Sequence, residues 1–216
     1  MKQELLVTHL PPDKAATAIQ LVKVHRGKLE YYADRLLWWN KKINLISRSV
    51  SRETVMKHIE HSLVLSQAEA FHQAKKIIDS GTGGGLPGIP LAIIFQDKEF
   101  LLNDIVEKKL MACKNMTRDL NLQNVKTNSS SIKDVGLDAD SLLISKHAFK
   151  INELFAMIKD KEWNNILLLK GANEVKTELE GIEEQLRISV FKLEDVSDSG
   201  FYKGKAMVEI QRKNHL

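Results

Sequence analysis

Five glycines lie close together in the segment 77–91, which reads Ile-Ile-Asp-Ser-Gly-Thr-Gly-Gly-Gly-Leu-Pro-Gly-Ile-Pro-Leu. The apolar residues at its start are typical of a short strand, and those at its end are typical of a helix. Glycine lets the backbone reach positive φ and approach a ligand closely. The first turn of a helix adds unpaired N–H donors and the positive end of a dipole. The segment therefore predicts a strand, a loop and a helix that together hold a nucleotide-like ligand.

The spacing within this loop excludes one class of ligand and leaves three possibilities open. A Walker phosphate loop is excluded, because Ile89 and Pro90 follow Gly88 where that motif needs Lys and Ser or Thr. A G-x-G-x-x-G pattern at Gly83, Gly85 and Gly88 keeps a dinucleotide open. The fuller Asp-x-Gly-Thr-Gly-x-Gly at 79–85 resembles motif I of Rossmann-like methyltransferases that use S-adenosylmethionine. The third possibility is a glycine-rich turn without a ligand. For the methyltransferase assignment, the cofactor-binding candidates are Asp79, Gly81, Thr82, Gly83 and Gly85.

Asp104 directly follows the next predicted strand. A carboxylate at that position is placed to accept hydrogen bonds from ribose hydroxyls. Both NAD and S-adenosylmethionine carry such a ribose, so Asp104 is a cofactor-binding candidate that does not separate them. The alternative is an ordinary carboxylate at a strand end.

Other residues with chemical potential give weaker signals. His58 and His61 share a helical spacing, but no Cys, Asp or Glu arrangement completes a metal site, so we predict packed or hydrogen-bonded histidines and no metal. Cys113 lies within an apolar helical pattern and is predicted to be a core residue. Lys146 and Lys170 directly follow predicted strands, where they suit an anionic substrate or are solvated surface charges.

The elements that position these residues alternate along the chain. Helices are predicted at 13–25 and 28–39, and a further one from 51 to about 70 with Ser51 as its cap. Alternation of strands and helices follows and predicts an α/β Rossmann-like fold with a mostly parallel sheet. A hairpin of strands 187–194 and 205–211, with a turn at 198–200, is expected to place an antiparallel strand at the C-terminal sheet edge. The predicted strands are 76–79, 99–103, 124–127, 141–145 and 164–169, and the predicted helices are 88–96, 106–120, 149–159 and 173–185. We divide the chain into a helical extension, 1–72, and a Rossmann-like domain, 73–216.

Composition narrows the class of protein. The 216 residues include one cysteine, which favours a reducing compartment, and no apolar run of about 18 residues that would span a membrane. We therefore expect a cytoplasmic protein. Residues 1–76 carry 13 Lys and Arg against 7 Asp and Glu, whereas the remainder is slightly acidic. Such an excess suits RNA, although it is also compatible with a solvated helical surface.

Several blocks in order resemble the bacterial small-subunit ribosomal RNA guanine-N7 methyltransferases of the GidB/RsmG type. Residues 39–45 read Trp-Asn-Lys-Lys-Ile-Asn-Leu, like the family's W-N-x-x-x-N-L. Residues 58–63 resemble H-x-x-x-S-L, and 79–91 match D-x-G-T-G-x-G-L-P-G-I-P-L almost throughout. Asp104 with the lysines at 108 and 109 resembles D-S-x-x-K-[RK], and 168–171 resemble the late L-K-G.

The resemblance implies S-adenosylmethionine as cofactor and a guanine of small-subunit ribosomal RNA, free or in the 30S particle, as substrate. It implies that Gly81 and Leu86 contact the cofactor, and that Ile132 and Lys133 flank its adenine. We expect Lys146 and Lys170 to act as catalytic residues that hold phosphate or the base edge, in a protein that works as a monomer.

Two blocks depart from the family pattern. Residues 130–134 read Ser-Ser-Ile-Lys-Asp where the family has S-R-x-E-E, and Lys146 stands where arginine is usual. Lysine keeps the charge but loses the planar fork of arginine. These changes motivate a second hypothesis, an RNA-binding or ribosome-assembly protein on a decayed methyltransferase fold. A nicotinamide-dependent oxidoreductase is the third.

Overall fold

One sheet of eight strands organises the part of the chain that the computed structural model describes, residues 3–197 and 200–213. The order across the sheet is β1-β7-β8-β6-β5-β2-β3-β4, and each neighbouring pair is parallel except the two pairs that β8 makes. The strands are β1 Glu4–His9, β2 Lys76–Ser80, β3 Glu99–Asn103, β4 Val125–Asn128, β5 Ser141–Lys146, β6 Asn165–Gly171, β7 Leu186–Lys192 and β8 Lys205–Arg212.

Helices cover both faces of this sheet. Successive strand residues such as Ile77 and Ile78 point to opposite sides, and both are buried, each in a different core cluster. The α/β prediction is confirmed. Ser51 also caps its helix as predicted, since its Oγ accepts from the backbone N of Thr54 at 3.0 Å. The helices are α1 Pro12–Val24, α2 Arg26–Asn40, α3 Arg52–Leu63, α4 Glu69–Gln73, α5 Gly88–Ile94, α6 Glu107–Asp119, α7 Ile151–Ile158 and α8 Val175–Glu178.

The edge of the sheet differs from the prediction. The expected hairpin forms from β7 and β8, but β8 lies between β6 and β7 and is not an edge strand. The edge strand on this side is β1, which pairs in parallel with β7. The sequence does not predict it, because its short apolar run lies in the segment assigned to a helical extension. Within the predicted turn, Asp198 and Ser199 lie outside the described residues.

Two predicted helices are shorter in the structure. The helix from residue 51 ends at Leu63, after which a 3₁₀ turn leads into α4. The predicted helix 173–185 is reduced to α8, and Gly181 beyond it has φ +82°, a value incompatible with a continuing α-helix. Helices α1 to α3 pack into the same core as α5 and α6. The division at residue 72 stays a prediction.

Candidate active site

The glycine-rich loop connects β2 to α5 and has the left-handed conformations that glycine permits. Gly81, Gly83 and Gly85 have φ values of +70°, +57° and +95°. The backbone N–H groups of Gly81 and Thr82 donate to the carbonyl of Asn103 at 2.8 and 3.1 Å, which fixes the loop to the end of β3. A β-carbon on Gly81 would lie 2.3 Å from Cβ of Ala148. Glycine is therefore required there both by the backbone and by the neighbouring loop.

Asp79 lies under this loop and is fully buried. Its Oδ2 accepts from Thr82 Oγ1 at 2.6 Å and from the backbone N of Gly88 at 2.8 Å. Burial raises its pKa to about 7, against the opposing effect of these two hydrogen bonds. Oδ1 has no hydrogen-bond partner within the described chain. One buried acceptor at the loop is thus free to receive a donor or to face a cation.

Asp104 supports the loop from the side. Its Oδ2 accepts from the backbone N of Gly83 at 3.0 Å, and its Oδ1 accepts from the backbone N of Val106 at 2.9 Å. Lys109 Nζ lies 4.0 Å from the same carboxylate. The structure therefore brings the predicted ribose-binding carboxylate into contact with the glycine loop, although ribose binding itself stays a prediction.

A row of polar side chains that the sequence did not reveal connects the ends of four strands. Ser145 Oγ donates to the carbonyl of Ser80 at 2.7 Å, and Ser80 Oγ donates to Asn103 Oδ1 at 3.1 Å. Asn103 Nδ2 then donates to the carbonyl of Ser130 at 2.9 Å. This row holds β5, β2, β3 and the segment after β4 in line. Its sequence signal is a polar residue that ends an otherwise apolar strand.

The segment after β4 contains the two residues predicted to flank the adenine, and their side chains point in different directions. Ile132 and Lys133 lie in a 3₁₀ turn capped by Ser131, whose Oγ accepts from the backbone N of Lys133 at 3.3 Å. The side chain of Ile132 is buried in the core on the α7 face, whereas Lys133 is exposed. Leu86 is also buried, in the core on the opposite face. Cofactor contacts by these three residues stay predictions.

Lys146 faces the N-terminal helices at the end of β5. Burial lowers its pKa to about 8, and the negative charge of Asp79 partly opposes that change. His58 and His61 of α3 are on the same side, since the charge of Lys146 contributes to lowering both of their pKa values. The residue after Lys146, His147, has φ +53°, an unusual value outside glycine that often marks functional sites.

Lys170 is buried on the other face and has partners of its own. Its Nζ donates to Glu178 Oε1 at 2.8 Å and to the carbonyl of Phe149 at 2.7 Å. Glu178 also accepts from the backbone N of Ile151 at 2.9 Å. These bonds fix the loop 147–150, which lies against Gly81, to β6 and α8. The structure thus does not bring Lys146 and Lys170 together, and a direct catalytic role for Lys170 remains a prediction.

The residues at the loop fit S-adenosylmethionine. β-Carbons on Gly81 and Gly85 would collide with Ala148 and Ile89, so only glycine allows this course of the loop backbone. The carboxylates of Asp79, whose Oδ1 has no partner in the described chain, and Asp104 suit a cationic ligand that carries a ribose. In the described residues, no group of three or more His, Cys, Asp or Glu side chains is arranged to hold a metal ion. No helix within 3–197 and 200–213 has the length and apolar character needed to cross a membrane.

The fold and the loop define a Rossmann-like methyltransferase of the class that uses S-adenosylmethionine, whose sheet contains an added antiparallel strand. A solved S-adenosylmethionine-dependent methyltransferase from Aquifex aeolicus shares the fold, with a TM-score of 0.54 and 16% identity over 73% of this chain and 92% of that one. The fibrillarin/Nop5p complex gives a TM-score of 0.52 at 12% identity over 72% of this chain and 80% of the other.

Sequence relatives narrow the class to one family. The family profile described as GidB, rRNA small subunit methyltransferase G, matches residues 25–203. A ribosomal RNA small subunit methyltransferase G from Chlorobium luteolum is 37% identical over 92% of this chain and 87% of its own length. One from Flavobacterium psychrophilum is 34% identical over 82% of this chain and 87% of its own. The chain belongs to the rRNA small subunit methyltransferase G family, as its motifs predicted.

Proposed function

We propose that this chain transfers a methyl group from S-adenosylmethionine to N7 of a guanine in 16S ribosomal RNA. The observation that carries the proposal is the family match over residues 25–203, because it includes the whole glycine loop and Asp104. When bound, the cofactor supplies an electrophilic methyl group. The glycine loop and the carboxylates of Asp79 and Asp104 would hold it.

The chemistry of N7 fits the side chains present. N7 of guanine carries a lone pair and no proton, so its attack on the methyl carbon needs no general base. The protein then has to align the nitrogen, the methyl carbon and the sulfur, and alignment alone supplies a large part of such a rate enhancement. A pyrimidine C5 target would need a nucleophilic thiolate. Cys113 does not suit that role, because it is buried, donates to the carbonyl of Gly83 and has a pKa raised by desolvation.

The N-terminal helices supply the surface for RNA. The largest share of the positive excess of residues 1–76 lies between them, where the loop that follows α2 contributes Lys41, Lys42 and Arg48 to it. Trp38 of α2 is 41% exposed, and Lys42 Nζ lies 3.7 Å from the centroid of its ring. An exposed aromatic ring beside basic residues is a favourable arrangement for binding unpaired bases and phosphates. We place the enzyme in the cytoplasm with its ribosomal substrate and propose that it acts as a monomer.

Two measurements test the proposal. Mapping N7-methylguanine in 16S ribosomal RNA from cells with and without the gene should show one modification that disappears with the gene and returns with the wild-type chain. In vitro, tritiated S-adenosylmethionine should label 16S ribosomal RNA or 30S particles isolated from the deleted strain. Cofactor binding without labelling of either substrate would favour the RNA-binding protein on a decayed fold. Binding of NAD(H) in place of S-adenosylmethionine would favour the oxidoreductase.

A further inference from the structure

Four rings pack together on the face of the N-terminal helices: His58, His61, His147 and Phe201, which we call the histidine cluster. Lys146 is close enough to the three histidines for its charge to contribute, after burial, to their lowered pKa values. The ring centroids of His58 and Phe201 are 5.2 Å apart, and those of His61 and His147 are 6.2 Å apart. His61 is fully buried, His58 and Phe201 are partly buried, and His147 is exposed. The cluster therefore extends from the surface at His147 to the interior at His61.

The buried part of the cluster has polar atoms without partners. Neither ring nitrogen of His61 has a hydrogen bond within the described chain, and the same is true of Nδ1 of His58. A buried polar group without a partner destabilises the fold, so each such group in a folded protein calls for an explanation. A ligand whose edge offers both donors and acceptors would satisfy these atoms.

The surrounding contacts hold the cluster in place and connect it to the methyl-donor loop. Tyr202 Oη donates to Glu60 Oε1 at 2.7 Å, which fixes the chain around Phe201 to α3. Lys205 Nζ lies 4.3 Å from the centroid of the Phe201 ring. Lys146 connects the cluster to the loop, since it interacts electrostatically with Asp79. Asp79 in turn accepts hydrogen bonds from Thr82 Oγ1 and from the backbone N of Gly88 in the loop.

We propose that the histidine cluster is the pocket for the target guanine base, with His58 and His61 bound to its Watson–Crick edge and Phe201 stacked on its face. The inference rests on the proposed function and names the substrate subsite of the same enzyme. Enzymes that act on a base in folded nucleic acid read the extruded base through that edge and through aromatic stacking. Contacts to O6 and N1–H leave N7 free to face the methyl donor.

The protonation state of the imidazoles suits this role. Burial lowers the pKa of His58 to about 4 and that of His61 well below its usual value. A neutral imidazole has one donor and one acceptor. Guanine presents a carbonyl acceptor at O6 next to an N1–H donor, whereas adenine presents the opposite pattern. A pair of neutral histidines with fixed tautomers can therefore distinguish the two purines.

The first test follows the histidine ring nitrogens directly in the wild-type protein. The protein is labelled with ¹⁵N-histidine, saturated with S-adenosylhomocysteine and titrated with GMP, AMP or inorganic phosphate. Single histidine substitutions assign the signals. We expect GMP to shift the ring-nitrogen signals of His58 and His61, and AMP and phosphate to leave them in place. No shift with GMP, or an equal shift with AMP or phosphate, would overturn the proposal.

The second test uses His58→Leu and His61→Leu, with His72→Leu as the matched control because His72 is exposed and outside the cluster. We expect either cluster variant to lower kcat/KM for RNA methylation by about tenfold or more, while the Kd for S-adenosylmethionine stays within about twofold. Unchanged kcat/KM, or a matching loss of cofactor affinity, would refute the base pocket. If the wild-type chain itself methylates no RNA, the proposed function fails, whereas the GMP titration still decides whether the pocket exists.

Discussion

Lys146 and Lys170 end neighbouring strands, yet their side chains leave the sheet on opposite faces. Lys146 pairs in register with Leu169, so Lys170 is one residue further and points the other way. Lys146 lies beside Asp79 and the histidine cluster, whereas Lys170 donates hydrogen bonds to Glu178 and to the carbonyl of Phe149. We infer that Lys146 contacts the substrate and that Lys170 positions the loop against Gly81.

The pH dependence of methylation tests the role of Lys146. Its pKa is lowered to about 8, so the ammonium is charged below pH 8 and becomes neutral above it. Activity that needs this charge should fall as the pH rises through 8. Lys146→Arg should keep the charge. The ratio of its methylation activity at pH 9 to that at pH 7 should exceed the same ratio for the wild type by up to about tenfold.

Because deprotonation of the RNA bases affects the reaction of both proteins equally, the difference between the two pH profiles is the readout. The exposed Lys203→Arg is the control and should follow the wild-type curve; coincident profiles for Lys146→Arg would remove Lys146 from the site.

Removing one member of the buried ion pair tests the role of Lys170. Lys170→Met leaves the carboxylate of Glu178 buried without its partner and should lower the free energy of unfolding by about 3–5 kcal/mol. The double variant Lys170→Met/Glu178→Leu should recover part of that loss, since no unpaired charge remains. Urea unfolding and the Kd for S-adenosylmethionine are the measurements. A lower kcat with unchanged stability would instead indicate that Lys170 contacts the substrate.

Gly81 and Gly181 form a matched pair for the glycine loop. Both have positive φ, but a β-carbon on Gly81 would collide with Ala148, whereas one on Gly181 would meet nothing within 4 Å. Gly181→Ala should therefore show only backbone strain of about 1–2 kcal/mol, with normal cofactor affinity. Gly81→Ala should be destabilised further and should weaken S-adenosylmethionine binding by more than about tenfold. Calorimetry of both variants decides, and equal cofactor affinities would contradict the assignment of this loop.

The stability of the ligand-free protein should depend on the charge of Asp79. Its pKa is raised from 3.8 in the unfolded reference to about 7 in the fold, so ionisation opposes folding. The free energy of unfolding should therefore decrease as the pH rises from about 4 through 7 and level off above that. Asp79→Asn should remove this decrease, which is worth up to about 4 kcal/mol. Urea titrations between pH 4 and 8 measure it, with the exposed Asp97→Asn as control; an unchanged slope in Asp79→Asn would show that another group is responsible.

Some parts of the site follow from sequence because they depend on local backbone requirements. The positions of Gly81, Gly83 and Gly85 predict the loop, since a left-handed conformation excludes most other residues. The strands β2 to β6 were predicted to within a few residues, because short buried runs between helical patterns are distinctive. Asp104 follows from its position after β3.

Other parts depend on which distant segments the fold brings together. The short run of β1 becomes a strand only because β7 offers it an edge, and β8 is internal for the same reason. The side chains of Lys146 and Lys170 point in opposite directions because of the register between β5 and β6. That register is determined by the pairing of the two whole strands. His61 and Phe201 are far apart in the sequence, and their rings meet because α3 packs beside the segment before β8. The amino-acid sequence alone thus determined the glycine loop that we assign to the methyl donor, because its conformation is a local backbone requirement, whereas tertiary packing decided which side chains lie near it.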